Sequence, residues 1–124
     1  MLLLDTHVLL WYMEDNPRLG AEIRTAMERA APQVFVSLAS VWEMSIKSAL
    51  GKLHMPPNLA ATLAATGVQL LPITLAHALA AGALPSHHRD PFDRMLVAQA
   101  QLDGLTLVTH DARMRPYGVS VLWA

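Results

Sequence analysis

The sequence contains no cysteine. That excludes a disulfide framework and any thiolate metal site, and it is compatible with a reducing compartment. Charge is scarce as well: 15% of the 124 residues are charged, and nine basic against ten acidic residues leave a formal charge of −1. A chain this close to neutral has no global basic field with which to hold nucleic acid, so a polyanionic partner must be gripped locally. The N-terminal MLLLDTH lacks the positively charged start of a secretory signal, and Asp5 cuts its apolar run after three leucines. No export signal is expected. Residues 53–88 hold no Asp, Glu, Lys or Arg, which raises the question of a membrane span. Pro56-Pro57, Gly67, Gln69, Pro72, His77 and Gly82 divide the stretch into pieces too short or too polar to cross about 30 Å of hydrocarbon. The expected location is the cytoplasm.

What the chain does have is apolar mass, 53% of residues, enough to bury a real core in one domain's worth of polypeptide, residues 1–124. Two periodicities alternate along it. Short Val/Leu/Ile-rich runs at 2–4, 34–36, 68–73, 105–109 and 119–123 suit strands of a covered sheet. Helical stretches lie between them, roughly at 6–14, 20–30, 39–51, 57–66, 74–83 and 91–103. Gly51, Gly67 and Gly104 stand where C-terminal stops belong, and Pro91 after Asp90 suits a helix start capped by Asp90. The expected fold is α/β, a mostly parallel central sheet flanked by helices on both faces. Trp11, Trp42 and Met95, at helical spacing among Leu and Ile, read as core and not as base-stacking platforms.

Ligands of open parallel sheets bind beyond the carboxyl ends of the strands, so acids at strand ends matter most. Asp5 follows the first strand directly, and Asp111 stands two residues past LTLVT. Glu43 lies near the start of the helix after VFVS, and Asp93 in the first turn of the helix after SHHRD. Carboxylates gathered within a few ångströms repel one another unless a cation compensates, and oxygen ligands suit Mg²⁺ or Mn²⁺. A phosphodiester is then the natural guest. Each acid also has a plainer reading. Asp90 is an N-cap, Asp93 an acidic position of the same cap, Glu43 the partner of Ser40 in a capping box with Lys47 as its salt bridge, and Asp111 a turn residue. The adjacent His87 and His88 lack a cysteine partner or helical spacing, so zinc is set aside and both are placed with Arg89 on a solvated loop. Six of the nine basic residues, Lys47, Lys52, Arg89, Arg94, Arg113 and Arg115, lie near a candidate acid in sequence.

LLLDTHVLLW, ASVWEMSIKSALGKL, HRDPFDRMLVAQA and LTLVTHDARMRPYGVSVLW, in this order and covering nearly the whole chain, resemble the PIN domain family, in particular its VapC-type ribonuclease toxins. The resemblance implies a single compact α/β/α domain, Mg²⁺- or Mn²⁺-dependent endonucleolytic cleavage of RNA, a homodimer, and inhibition by a small antitoxin protein. Carried over residue by residue, it implies that Asp5, Glu43, Asp93 and Asp111 are the catalytic and metal-binding acids, Asp111 at the family's variable position. Thr6 and Thr109 would orient carboxylates or waters, and Arg89 or Arg94 would serve RNA or neighbouring carboxylates. Two competitors remain at this point. One is a non-catalytic module of the same fold that binds RNA or a protein. The other is a phosphatase of the haloacid dehalogenase type, which needs a second acid where this chain has His7.

Overall fold

A computed structural model describes residues 1–31 and 33–124. Its centre is the strand β1 (Leu2–Leu4), where Leu3 and Leu4 are wholly buried, one toward each face. A strand covered on both sides explains why the sequence there is a continuous apolar run and not an alternating one. On one side β1 pairs with β2 (Val34–Ser37), which pairs with β3 (Gln69–Leu71). On the other it pairs with β4 (Thr106–Thr109), which pairs with β5 (Val121–Trp123). All four pairings are parallel, giving the order β3-β2-β1-β4-β5. Leu4, the last residue of β1, lies opposite both Val36 and Val108, so β2 and β4 each run one residue past it.

Six helices among the described residues cover the sheet: α1 (Thr6–Met13), α2 (Ala21–Ala30), α3 (Leu38–Ala49), α4 (Leu59–Thr66), α5 (Leu75–Ala83) and α6 (Pro91–Asp103). Leu4, Val36 and Val108 pack with Val8, Leu9, Met27, Met44 and Leu63 on one face. Leu3 and Leu107 pack with Leu96, Val97, Met114 and Tyr117 on the other. The α/β expectation therefore holds, with an all-parallel sheet between two helical layers. No helix is long and apolar enough, among the described residues, to cross a membrane.

Helix starts follow local chemistry. Asp5 accepts the amide of Val8 to cap α1, and Ser37 accepts that of Ala39 to cap α3. Asp90 accepts both Phe92 and Asp93 amides, with Pro91 at the first helical position of α6. Gly104 ends α6 at φ 66°, a left-handed conformation that favours glycine.

Three expectations are corrected here. The cap of α3 is Ser37 and not Ser40, so Glu43 lies in the second turn, outside any capping box. Trp42 is 62% exposed: α3 buries the stripe Ala39, Ser40, Glu43 and Met44, and Trp42 falls outside it. Asp111 opens a 3₁₀ segment at Ala112–Tyr117 where the sequence suggested only a turn. A three-residue period running for six residues leaves no amphipathic signature to read.

Candidate functional site

Connections leave β1 toward β2 on one side while β4 lies on its other side, so the direction of strand succession reverses between β1 and β4. A crevice opens at the carboxyl ends of strands flanking such a reversal. The structure has a cavity of about 330 Å³ there, and Asp5, Glu43, Asp93 and Asp111 all line it, together with Asp90, Thr6, His7, Lys47, His110 and Arg113. Four segments spread from position 5 to position 111 thus bring their acids to one place.

Each acid is held differently. Asp5 is 4% exposed; its Oδ1 accepts the Val8 amide at 2.8 Å, and its Oδ2 accepts the hydroxyl of the fully buried Thr109. Burial pushes the Asp5 carboxyl above its ordinary value, against the opposing pull of the Thr109 hydroxyl and the Val8 amide. Glu43, equally buried, accepts the Thr6 hydroxyl at 2.5 Å on Oε1 and the Lys47 ammonium at 2.5 Å on Oε2. The Lys47 pKa rises in consequence, first through that hydrogen bond.

Asp93 stands in the first turn of α6 with its amide on the Asp90 cap, but its side chain is engaged elsewhere. Its Oδ2 accepts from His88 Nε2 at 2.7 Å. Its pKa is pushed up to about 6, first by burial and then by the charge of Asp90, with the His88 hydrogen bond opposing both. Asp111 is the most exposed of the four, its side chain at 21%. Arg113 grips it through Nε at 3.0 Å and Nη2 at 2.8 Å, and that hydrogen bonding holds its carboxyl below the ordinary range.

His88 is the residue that sequence reasoning missed. It is buried, not solvated, and its ring lies 2.7 Å from Asp93 and 3.8 Å from Asp111. The potential ligand atoms of His88, Asp93 and Asp111 all lie within 4.8 Å of one another, the one such group among the described residues. Asp5 and Glu43 share the cavity but not that group. The His88 backbone is fixed from two sides: its amide donates to the Tyr117 hydroxyl at 2.8 Å, and its carbonyl accepts from Arg94 at 3.2 Å. The signal available in sequence was the HHRDPFD spacing, which puts a histidine five residues before Asp93. Only the 3₁₀ segment carrying Tyr117 turns that spacing into a buried contact.

The assignment of Arg94 is corrected in the same way. Arg94 faces backbone, not RNA or a carboxylate. Its guanidinium donates to the carbonyls of Ala81 and Leu84, both at 2.9 Å, and to those of Gly82, Pro85 and His88. It ties the end of α5 and the following loop to α6. Arg89 is exposed on that loop, outside the cavity lining, and makes no hydrogen bond or ion pair among the described residues. The cations that do line the cavity are Lys47 and Arg113.

Comparison with known proteins places this geometry. The model of the PIN domain family matches residues 2–119. Ribonuclease VapC22 of Mycobacterium tuberculosis (strain ATCC 25618 / H37Rv) is 32% identical over 118 residues, covering 93% of this chain and 90% of that protein. Two solved structures share the fold. VapBC2 from Rickettsia felis, bound to a DNA fragment from their promoter, superposes with a TM-score of 0.74 at 13% identity, covering 98% of this chain and 97% of that one. A toxin–antitoxin complex from Klebsiella pneumoniae superposes with a TM-score of 0.69 at 22% identity, covering 98% and 96%. Acids delivered by four separate segments to the strand ends, in a sheet of order 3-2-1-4-5, thus accompany a family match over almost the full length, and the chain belongs to the PIN domain family.

Proposed function

We propose that this protein is a metal-dependent endoribonuclease and the toxin of a type II toxin–antitoxin pair. The observation that carries the reading is the convergence of Asp5, Glu43, Asp93 and Asp111 on one cavity, with Asp5 and Asp93 both shifted upward by burial. Five carboxylates including Asp90 line that cavity against two full cations, Lys47 and Arg113. Folding does not gather carboxylates at this density for stability, since each raises the cost of ionising the next. The donor set is oxygen-rich and partly enclosed, which fits a hard divalent cation such as Mg²⁺, or Mn²⁺. Asp5 and Asp93 would hold it most directly, with Glu43 and Asp111 completing the cluster. When bound, such an ion neutralises phosphate charge and acidifies a water, the two services phosphodiester hydrolysis needs.

The remaining roles belong to the chain's own groups. Thr109 and Thr6 fix the rotamers of Asp5 and Glu43 through their hydroxyls. His88 fixes Asp93. A carboxylate of the cluster takes the proton from the attacking water, and Lys47 and Arg113 at the cavity wall meet the phosphate oxygens. Membership of the toxin class is supported by the ribonuclease relative and by the likeness to the toxin–antitoxin complex from Klebsiella pneumoniae and to VapBC2 from Rickettsia felis. The apolar side chains Leu38, Trp42 and Leu50 on or beside α3, and Leu75 and Leu79 on α5, stand exposed, as surfaces that antitoxin or a second copy would cover in a homodimer.

The test is cleavage of labelled RNA by the purified protein with Mg²⁺, with Mn²⁺ and with chelator. Metal-dependent cutting is expected, with Asp5→Asn and Asp93→Asn each reducing it by roughly 100-fold or more while both remain folded. Expression should arrest growth, and Asp5→Asn should lift the arrest. Undiminished metal-dependent turnover in both variants would overturn the site assignment. RNA binding without cleavage, indifferent to chelator, would indicate a non-catalytic module.

A further inference from the structure

His7, Trp11 and His110 form a group of rings that the acid chemistry does not use. The Trp11 and His110 centroids lie 4.7 Å apart, His7 and His110 5.9 Å apart, and His7 and Trp11 6.5 Å apart. Both imidazoles are exposed and line the acidic cavity. Neither makes a hydrogen bond or ion pair among the described residues; each faces ring neighbours and stands close enough to Asp5 to interact with its charge. Trp11 is half-buried, its base packed on the apolar core, which makes it the fixed wall of the group. The sequence reading of Trp11 as core describes one side of this ring only.

Chain position ties the rings to the chemistry. His7 is two residues past Asp5, and His110 stands between Thr109, which donates to Asp5, and Asp111. A phosphodiester seated on the acids therefore has its neighbouring nucleoside within reach of these rings. Unpaired bases are bound in proteins by stacking on aromatic and histidine faces, a contact that tolerates any base identity. A separate aromatic pair, exposed Trp42 against half-buried Phe92 at 5.4 Å, does not line the cavity, and Trp42 is accompanied by exposed leucines. Its surroundings suit protein and not a nucleotide.

We infer that His7, His110 and Trp11 form a stacking subsite for an unpaired nucleobase next to the scissile phosphate. The inference rests on the reading of the cavity as a ribonuclease centre. Its test compares fluorescently labelled single-stranded RNA 12-mers with strands of the same length and charge built wholly of abasic units. Binding is measured by anisotropy with Ca²⁺, and strand integrity is checked on gels. The wild type should bind the base-bearing strand about 5- to 100-fold more tightly than the abasic one, the range of one stacked base. His110→Ala and His7→Ala should lose most of that ratio while leaving abasic binding unchanged, and His110→Tyr, which keeps a flat face, should retain it. Both histidines are exposed, so these variants test the surface without disturbing the core.

A wild type that binds both strands equally overturns the subsite. Variants that keep the wild-type ratio overturn it too and leave the rings to a protein partner. Absence of both RNA binding and RNA cleavage in the wild type overturns the ribonuclease reading itself, an outcome distinct from either.

Discussion

Replacing Asp93 by Asn should stabilise the metal-free protein at neutral pH, and the size of the gain follows from the site. The folded-state pKa of Asp93 is raised from 3.8 to about 6. For an acid shifted upward, the folded state binds the proton more tightly than the unfolded state, so stability falls as pH rises from 3.8 to 6 and stays low above that window. Ionised Asp93 therefore costs the fold at most about 3 kcal/mol at pH 7.5. Asn is the neutral shape analogue of the protonated acid and still offers an oxygen to His88. The side chain is 18% exposed and partly hydrated, so a smaller gain of about 1–2 kcal/mol is expected. That corresponds to roughly 3–8 °C in Tm.

Urea titrations with chelator at pH 7.5 and pH 4.5 measure it. The advantage of Asp93→Asn should be full at pH 7.5 and shrink to about a third at pH 4.5, where wild-type Asp93 is already protonated in the folded state. Saturating Mg²⁺ should reverse the order, because only the wild type gains the linkage term of an ion bound to the native state. Destabilisation by Asn at pH 7.5 in chelator, or an advantage independent of pH, would refute the argument that burial and Asp90 dominate this carboxylate.

Two more substitutions probe the supports. Arg94→Met removes the donors to five carbonyls at the α5–α6 junction and should cost about 2–4 kcal/mol. Amide exchange at residues 84–90 should accelerate, and unchanged exchange combined with weaker RNA binding would return Arg94 to an RNA role. Lys47→Met leaves buried Glu43 with only the Thr6 hydroxyl. A loss of about 1–2 kcal/mol in urea is expected after allowing for the 35% exposure of Lys47. Glu43→Gln in the same background should recover most of it, and a wild-type midpoint for Lys47→Met alone would mean that water already screens the pair.

The fold was legible because its punctuation is local. Asp90-Pro91 and Gly104 bracket α6 by chemistry that acts within one turn, and the LLL run signals a doubly covered strand without knowledge of its partners. The four acids were legible for a related reason: parallel topology forces the strand ends to one edge, so position along the chain stood in for position in space. What failed depended on side-chain direction across tertiary contacts. Trp42 and Glu43 are adjacent on α3, yet one is exposed and the other buried, because the helix turns about 100° per residue and only the docked structure says which face meets α1 and α6. Arg94 follows Asp93 and reads as a basic residue beside the acids, but the same rotation aims it at the end of α5. His88 reads as loop until Tyr117, 29 residues later, closes over it.

The supports of the acids share a pattern that bears on how the site is built. Thr6 follows Asp5 but donates to Glu43, and Thr109 lies two residues before Asp111 but donates to Asp5. Each of these acids is thus held by the chain neighbour of another, across separations of 37 and 104 residues. Such bonds form only when β1 and β4 are paired and α3 is docked, so the unfolded chain holds no partial version of the cluster. Two consequences follow from that interlock. The cost of burying and crowding the carboxylates falls entirely on the folded state, as the upward shifts of Asp5, by burial, and of Asp93, by burial and the charge of Asp90, record. Equally, a cation that needs several of these oxygens at once finds them only in the folded state, so its whole binding energy adds to stability. On the proposed reading, the crowding that raises Asp93 is the cost that a bound divalent cation would relieve.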